Sequence, residues 1–306
     1  MKSQELIIYR NLQHRELFDH VSTLLAVGPD DKPGTMPDSY ACASQLIDMA
    51  VNYGFEGNLW HCFLAFCLAN NENVYSTSCE IVGHIEGSLN ELAAHDFNVI
   101  KELFDYDIRT LDGGAGPTGG GVWSALSDYH AANGNSRVFN KRIRDQIVAL
   151  AVELERSEDV AAFGKAVTEF YRRFGVGKFG LNKAFRIEEI DHEVHINPIT
   201  NVEHIYLDDI IGYELQKKKL IENTEAFIQG RAANNVLLFG DSRTGKSSSI
   251  KAILNEYYEQ GLRIIEVYKH QFKSLSEVQE QVKDRNYKFI IYMDDLSFEE
   301  FEIEYK

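Results

Sequence analysis

The stretch Asn235–Ser248, NVLLFGDSRTGKSS, narrows the folds open to this chain more than any other segment. An apolar run leads into a glycine, four residues and then Gly-Lys-Ser, the G-x-x-x-x-G-K-[ST] pattern of a phosphate-binding loop. Val236–Phe239 predicts a buried strand before the loop. Behind it, Ile250, Ile253, Leu254 and Tyr257 recur at helical spacing, and Gly261 is placed to end that helix. Gly240 and Gly245 would let the backbone wrap so that successive N–H groups converge on phosphate oxygens, with the helix dipole adding positive potential. Gly240, Asp241, Ser242, Arg243, Thr244, Gly245, Lys246, Ser247 and Ser248 are therefore the candidate phosphate-binding residues. Lys246 would bridge the β- and γ-phosphates, and the Ser247 hydroxyl would ligate Mg²⁺.

A chance Gly/Ser turn would not come with a partner motif, and this chain has one. Lys288–Leu296 reads KFIIYMDDL, a second buried-strand pattern ending in two carboxylates. In P-loop ATPases an acid at such a strand tip holds the Mg²⁺ shell, the role Asp294 fits. A second acid beside it polarises the attacking water in hydrolysing enzymes. Asp295 is the candidate, one methylene shorter than the more usual Glu. Taken alone, a double Asp also suits a turn. Paired with the loop, it points to a site for ATP and Mg²⁺, with Lys246 and Asp295 as catalytic candidates.

The remaining composition excludes more than it adds. The formal net charge is −16, and no basic stripe interleaves with aromatics, which argues against a nucleic-acid partner. The start, MKSQELIIYRNL, lacks a signal-peptide core, and no window approaches the ~18 uninterrupted apolar residues of a membrane helix. A cytoplasmic location is expected. Cys42, Cys62, Cys67 and Cys79 form no C-x-x-C pair and read as buried thiols rather than as a metal site with His61 or His84. His192-Glu193-Val194-His195 falls one residue short of the H-E-x-x-H zinc pattern, in a segment that reads as strand or loop.

The chain divides into two parts. Residues 1–186 read as a helical accessory domain. Its apolar stripes are Leu17, Val21, Leu24 and Leu25; Leu59, Phe63, Phe66 and Cys67; and Phe139, Ile143, Ile147, Leu150 and Leu154. Ser157 before Glu158 and Asp159 predicts a helix start leading through Val160, Phe163, Val167 and Tyr171. The glycine-rich run from Asp112 to Val122 carries no Lys or Arg and reads as a mobile surface loop rather than a second phosphate cradle. Residues 187–206 read as a connector with some β character, stopped by Pro198. From 207 to 306 the pattern becomes α/β. It opens with a helix turning Leu220, Thr224, Phe227 and Ile228 inward and Lys217, Lys218 and Lys219 to solvent. RIIEVY at Arg263–Tyr268 predicts a strand, and Ser274-Leu275-Ser276-Glu277 predicts a capping box before the next helix.

Four blocks carry a resemblance: FYRRFGVGKFGLNKAFRI, LDDIIGYELQKKKLIENTEAFIQG, NNVLLFGDSRTGKSSSIKAIL and KFIIYMDDLSFEEFEIEYK, with DDLSFE the most family-specific. Across Phe170–Lys306 the chain resembles a bacterial family of AAA+-type ATPases known mainly by a domain-of-unknown-function label. That implies an α/β P-loop NTPase (AAA+-like) domain with an incomplete parallel sheet, preceded by a mainly α-helical domain. It also implies that Ile211, Gly212 and Tyr213 line an adenine pocket. Members usually carry glycine where this chain has Arg243; if that position needs φ > 0, arginine costs about 1 kcal/mol or more. The chain stops at Lys306, before the sensor strand, arginine finger and helical lid of AAA+ proteins, so it is expected to be a fragment. The sensor strand lies between the phosphate-loop and Asp-Asp strands, so the strand near 236–240 should be separated from its neighbour by a gap or forced against it. Strands near 236–240, 263–268 and 288–293 should be parallel, with the last two paired. Two function classes follow: an ATP-hydrolysing remodelling factor, homo-oligomeric at full length, whose helical domain selects a protein client; or a nucleotide-gated binding module with little or no hydrolysis.

Overall fold

The computed structural model describes residues 2–26, 38–112, 121–130, 141–191, 193–241 and 244–294. It separates into two compact units, 1–181 and 182–306.

Unit 1 is built of helices: α1 (Arg15–Ala26), α2 (Ser39–Tyr53), α3 (Leu59–Asn70), α4 (Val74–Val82), α5 (Ser88–Phe104), α6 (Val122–Ser127), α7 (Lys141–Glu155), α8 (Val160–Phe174) and α9 (Gly177–Leu181). Helix α3, LWHCFLAFCLAN, is apolar all round and buried from Leu59 to Ala69, so it runs through the middle of the core. Amphipathic helices pack about it, α1 through Leu17, Val21, Leu24 and Leu25 and α7 through Ile143, Ile147, Leu150 and Leu154. Asn58 and Asn73 cap α3 and α4 by accepting backbone N–H bonds. The cap of α8 is Asp159, which accepts from the Ala162 N–H, rather than Ser157, whose hydroxyl instead donates back to the Glu153 carbonyl. Asp159 wins because the first helical turn, at Val160, is within reach of its carboxylate.

Two buried polar features fasten this unit. Asp96 on α5, fully buried, accepts backbone N–H bonds from Ile7 at 3.0 Å, Ile8 at 2.8 Å and Tyr9 at 2.9 Å. His61 on α3 places Nε2 2.8 Å from the Phe104 carbonyl and Nδ1 3.6 Å from a Glu155 oxygen. Burial, the dominant cause, lowers the His61 pKa, while Glu155 opposes that shift.

Unit 2 is an α/β layer. Its strands are β1 (Ala184–Ile190), β2 (Glu193–Ile199), β3 (Leu262–Val267) and β4 (Lys288–Met293), in the order β2-β1-β3-β4. The sheet is mixed: β1 and β2 are antiparallel, and β1, β3 and β4 run parallel. The helices are α10 (Glu214–Ile228), α11 (Lys246–Tyr257) and α12 (Leu275–Val282). Helix α11 lays Ile250 and Leu254 on Ala184, Ile264, Ile290 and Tyr292. Its Ile253 and Tyr257 join Leu220 of α10 and Leu262. Gly261, at φ 91°, turns the chain from α11 into β3. At the start of β3, buried Arg263 lies between the rings of Tyr258 and Tyr287, 4.1 and 4.3 Å from their centroids. Its guanidinium donates to the Tyr258 and Leu262 carbonyls.

Several expectations are corrected here. Residues 187–206 are not a connector: β1 and β2 form a hairpin within the sheet, and the division falls after Leu181. Pro198 does not stop β2 but pairs with Phe185 inside it, tolerable because β2 is an edge strand. Segment 235–240 is not a strand. It joins no ladder, with Leu237 73% and Phe239 88% exposed; the sheet ends at β4, and the segment does not pair with that edge. Ser274 makes no capping box; its hydroxyl donates to Glu189 instead. Lys217 does not simply face solvent: its ammonium holds the Ile210 carbonyl at 2.9 Å and pairs with Glu214. Phe139 and the glycine-rich run 113–120 lie outside the described residues.

Candidate functional site

The candidate site gathers at the first turn of α11 and the carboxyl end of β4. Gly245, at φ 86°, is the N-cap of α11 and brings no side-chain oxygen to its first turn. The dipole of the helix favours an anion there. Gly240, at φ 143°, has Thr244 Oγ1 3.4 Å from where a Cβ would stand, so the two ends of the loop lie close. Thr244 donates to the Asp241 carbonyl. Lys246 folds over the loop and donates to the Gly240 and Asp241 carbonyls at 2.9 and 2.8 Å. Its charge therefore sits at the loop, held by weak neutral acceptors that an anion would outcompete. Ser242 and Arg243 lie outside the described residues.

Ser247 and Asp294, the two candidate Mg²⁺ ligands, approach one shared group. The Tyr292 hydroxyl donates to Ser247 Oγ at 3.2 Å, and the Asp294 carboxylate, two residues on, is near enough to act on the same phenol. Burial first, then the acids Asp294 and Glu266, push the Tyr292 phenol up to about 12, while its bond to Ser247 works the other way. Glu266 is the β3 partner of Tyr292 in the sheet register. Its own carboxyl is raised, mainly by burial and further by Asp294, against the pull of Lys251 and Arg186. Lys251, one turn along α11 from Ser247, pairs with Glu203 at 3.0 Å. A hydroxyl and a carboxylate are oxygen donors of the kind Mg²⁺ takes, with phosphate oxygens and water completing the shell. The residues present fit that ion.

Residues 181–306 match the family described as "Protein of unknown function (DUF815)". No curated protein and no solved structure gives a significant match.

Within the matched segment, the block expected at an adenine pocket stands beside the loop. Ile210 reaches within 3.9 Å of where a Gly245 Cβ would be. Ile211 is 92% exposed, and Gly212 and Tyr213 turn through φ 83° and 58° into α10. These three residues line an open turn rather than a closed pocket. Asp295 lies outside the described residues. Tyr292 was not singled out from the sequence; it lies two positions before Asp294, and residues two apart along a strand share a face.

The other sequence candidates lie elsewhere. His195 is paired with Glu188 in β2, and His192 lies outside the described residues. The cysteines are all buried in unit 1, and burial lifts Cys62 to about 12 and Cys79 to about 11. A thiol held protonated is a poor nucleophile and metal ligand. Among the described residues, no cluster of three or more His, Cys, Asp or Glu could hold a metal ion, and no helix is long and apolar enough to cross a membrane.

Proposed function

We propose that residues 182–306 bind ATP with Mg²⁺ through a P-loop of AAA+ type, and that the protein couples binding and hydrolysis to remodelling of a macromolecular client engaged by the helical unit. The observation that carries the reading is the hydrogen bond that brings Ser247, at the start of α11, to Tyr292 on β4, two residues before Asp294. Those residue types in those two places, beside an uncapped helix start and two positive-φ glycines, suit a nucleotide polyphosphate better than any other ligand. A bound Mg²⁺ would supply Lewis-acid charge to the phosphate oxygens. For its part, Lys246 would release the Gly240 and Asp241 carbonyls and turn its ammonium onto the phosphates. The first-turn N–H groups of α11 would hold the same oxygens, and Ser247 and Asp294 would face the ion. Asp295, next along the chain from Asp294, is the residue to accept the proton of an attacking water.

Calorimetric titration with a slowly hydrolysed ATP analogue tests the reading. Lys246→Ala should lose most of the affinity, because the one lysine folded over the loop would be gone. Equal binding by the variant and the parent protein would refute the assignment.

A further inference from the structure

We propose that Tyr292 is a positioning residue for the magnesium site, its hydroxyl holding one of the oxygen ligands, Ser247 or Asp294, in a single rotamer ahead of the ion. The inference rests on the nucleotide reading above and adds a residue to it. Tyr292 is carried on β4, and its ring is packed into the layer formed by Ala184, Leu254 and Ile264. That packing leaves the phenol little freedom, so its oxygen is a fixed point to which more mobile groups can be referred. Ser247 and Asp294 sit at the ends of elements: one lies in the first turn of α11, and the other is exposed just beyond the end of β4. Ser247 Oγ accepts from that hydroxyl at 3.2 Å, and the Asp294 carboxylate acts on the same phenol from two residues along the chain.

The phenol has a single proton to donate. Given to Ser247, it occupies one lone pair of Oγ and leaves the other for a cation. Given to Asp294, it restrains one carboxylate oxygen and leaves the second to face the ion or its water shell. Either arrangement selects a rotamer of a ligand before the metal arrives, which is how an outer hydrogen-bonding partner raises affinity without touching the ion. Phenylalanine in this place would keep the packing and lose both arrangements. The neighbouring acid Glu266, set opposite Tyr292 on β3, is a carboxylate with no proton to donate when ionised, and it repels Asp294. It is therefore no substitute for the hydroxyl.

The experiment compares the full chain with Tyr292→Phe, titrating an ATP analogue by calorimetry in EDTA and in millimolar Mg²⁺. Mn²⁺ is followed in parallel by electron paramagnetic resonance. The expected result is that affinity in EDTA is the same for both proteins, while the strengthening by Mg²⁺ falls about tenfold in the variant, with a matching loss of nucleotide-dependent bound Mn²⁺. Equal strengthening by Mg²⁺ in both proteins overturns the role of Tyr292 and leaves the nucleotide site standing. Loss of affinity in EDTA as well would show that Tyr292 shapes the loop rather than the metal site, and also overturns it. If the parent chain binds no analogue under either condition, the nucleotide reading falls and takes this inference with it.

Discussion

A single carboxylate decides how the first residues of the chain are held. Asp96 accepts N–H bonds from Ile7, Ile8 and Tyr9 and is 0% exposed. No helix or strand includes those three residues, so the side chain does for them what a ladder does elsewhere. Asp96→Ala would leave the buried Tyr9 N–H and the part-buried Ile7 and Ile8 N–H groups without that acceptor, and a fully buried donor costs about 1–3 kcal/mol when stranded. Partial relaxation and water entry reduce the sum, so we expect a loss of roughly 3 kcal/mol, measured by urea denaturation. A change below about 0.5 kcal/mol would mean that the N-terminal turn contributes nothing to the fold. None of this was legible in the sequence: Asp96 sits in a helix whose pattern explains only its apolar neighbours, and its partners are 87 to 89 positions away. Tyr292 was unreadable for a related reason. Its tyrosine ring suits a buried strand, and the hydroxyl acquires meaning only once α11 brings Ser247 to it.

At the level of elements, legibility followed whether a segment makes its own structure or needs a neighbour. Helix α11 and the stripes of α1 and α7 were read from spacing, since a helix closes its own hydrogen bonds. Strands β3 and β4 were read from apolar runs. The run 236–239 has the same composition, yet pairing, not composition, makes a strand. Strand β1, AFRIEEI, was missed because burial is confined to its first half, and the charged residues Arg186, Glu188 and Glu189 obscure the alternation. A prediction follows for hydrogen exchange in the ligand-free chain. Amides of 235–239, outside every ladder, should exchange orders of magnitude faster than those of β3, which is paired on both sides. Protection of 235–239 equal to that of β3 would show that this segment is hydrogen-bonded in solution.

For the molecule as a whole, the two units can be followed separately. Both tryptophans, Trp60 and Trp123, are buried in unit 1, so indole emission reports that unit alone. His61 stands among α3, α5 and α7 in the same unit, and its pKa is held below the ordinary value of 6.5, chiefly by burial. An unfolded chain therefore takes up this proton first. Stability is full above about pH 6.5 and falls as the pH drops through the depressed folded value. His61→Gln should flatten that acid-side slope in emission-monitored unfolding, and an unchanged slope would assign it to other groups.

Unit 2 has a different organisation along its strands. Arg263, stacked between Tyr258 and Tyr287, closes the end of the sheet where β3 and β4 begin. Glu266, Tyr292 and Asp294 stand where the same strands finish. One end is a rivet and the other, on the proposed reading, a workbench, separated by the length of a strand. Such a layout lets the two drift independently under selection. Changes at the stacked end alter how firmly the layer holds together, while changes at the acidic end alter what it can grip.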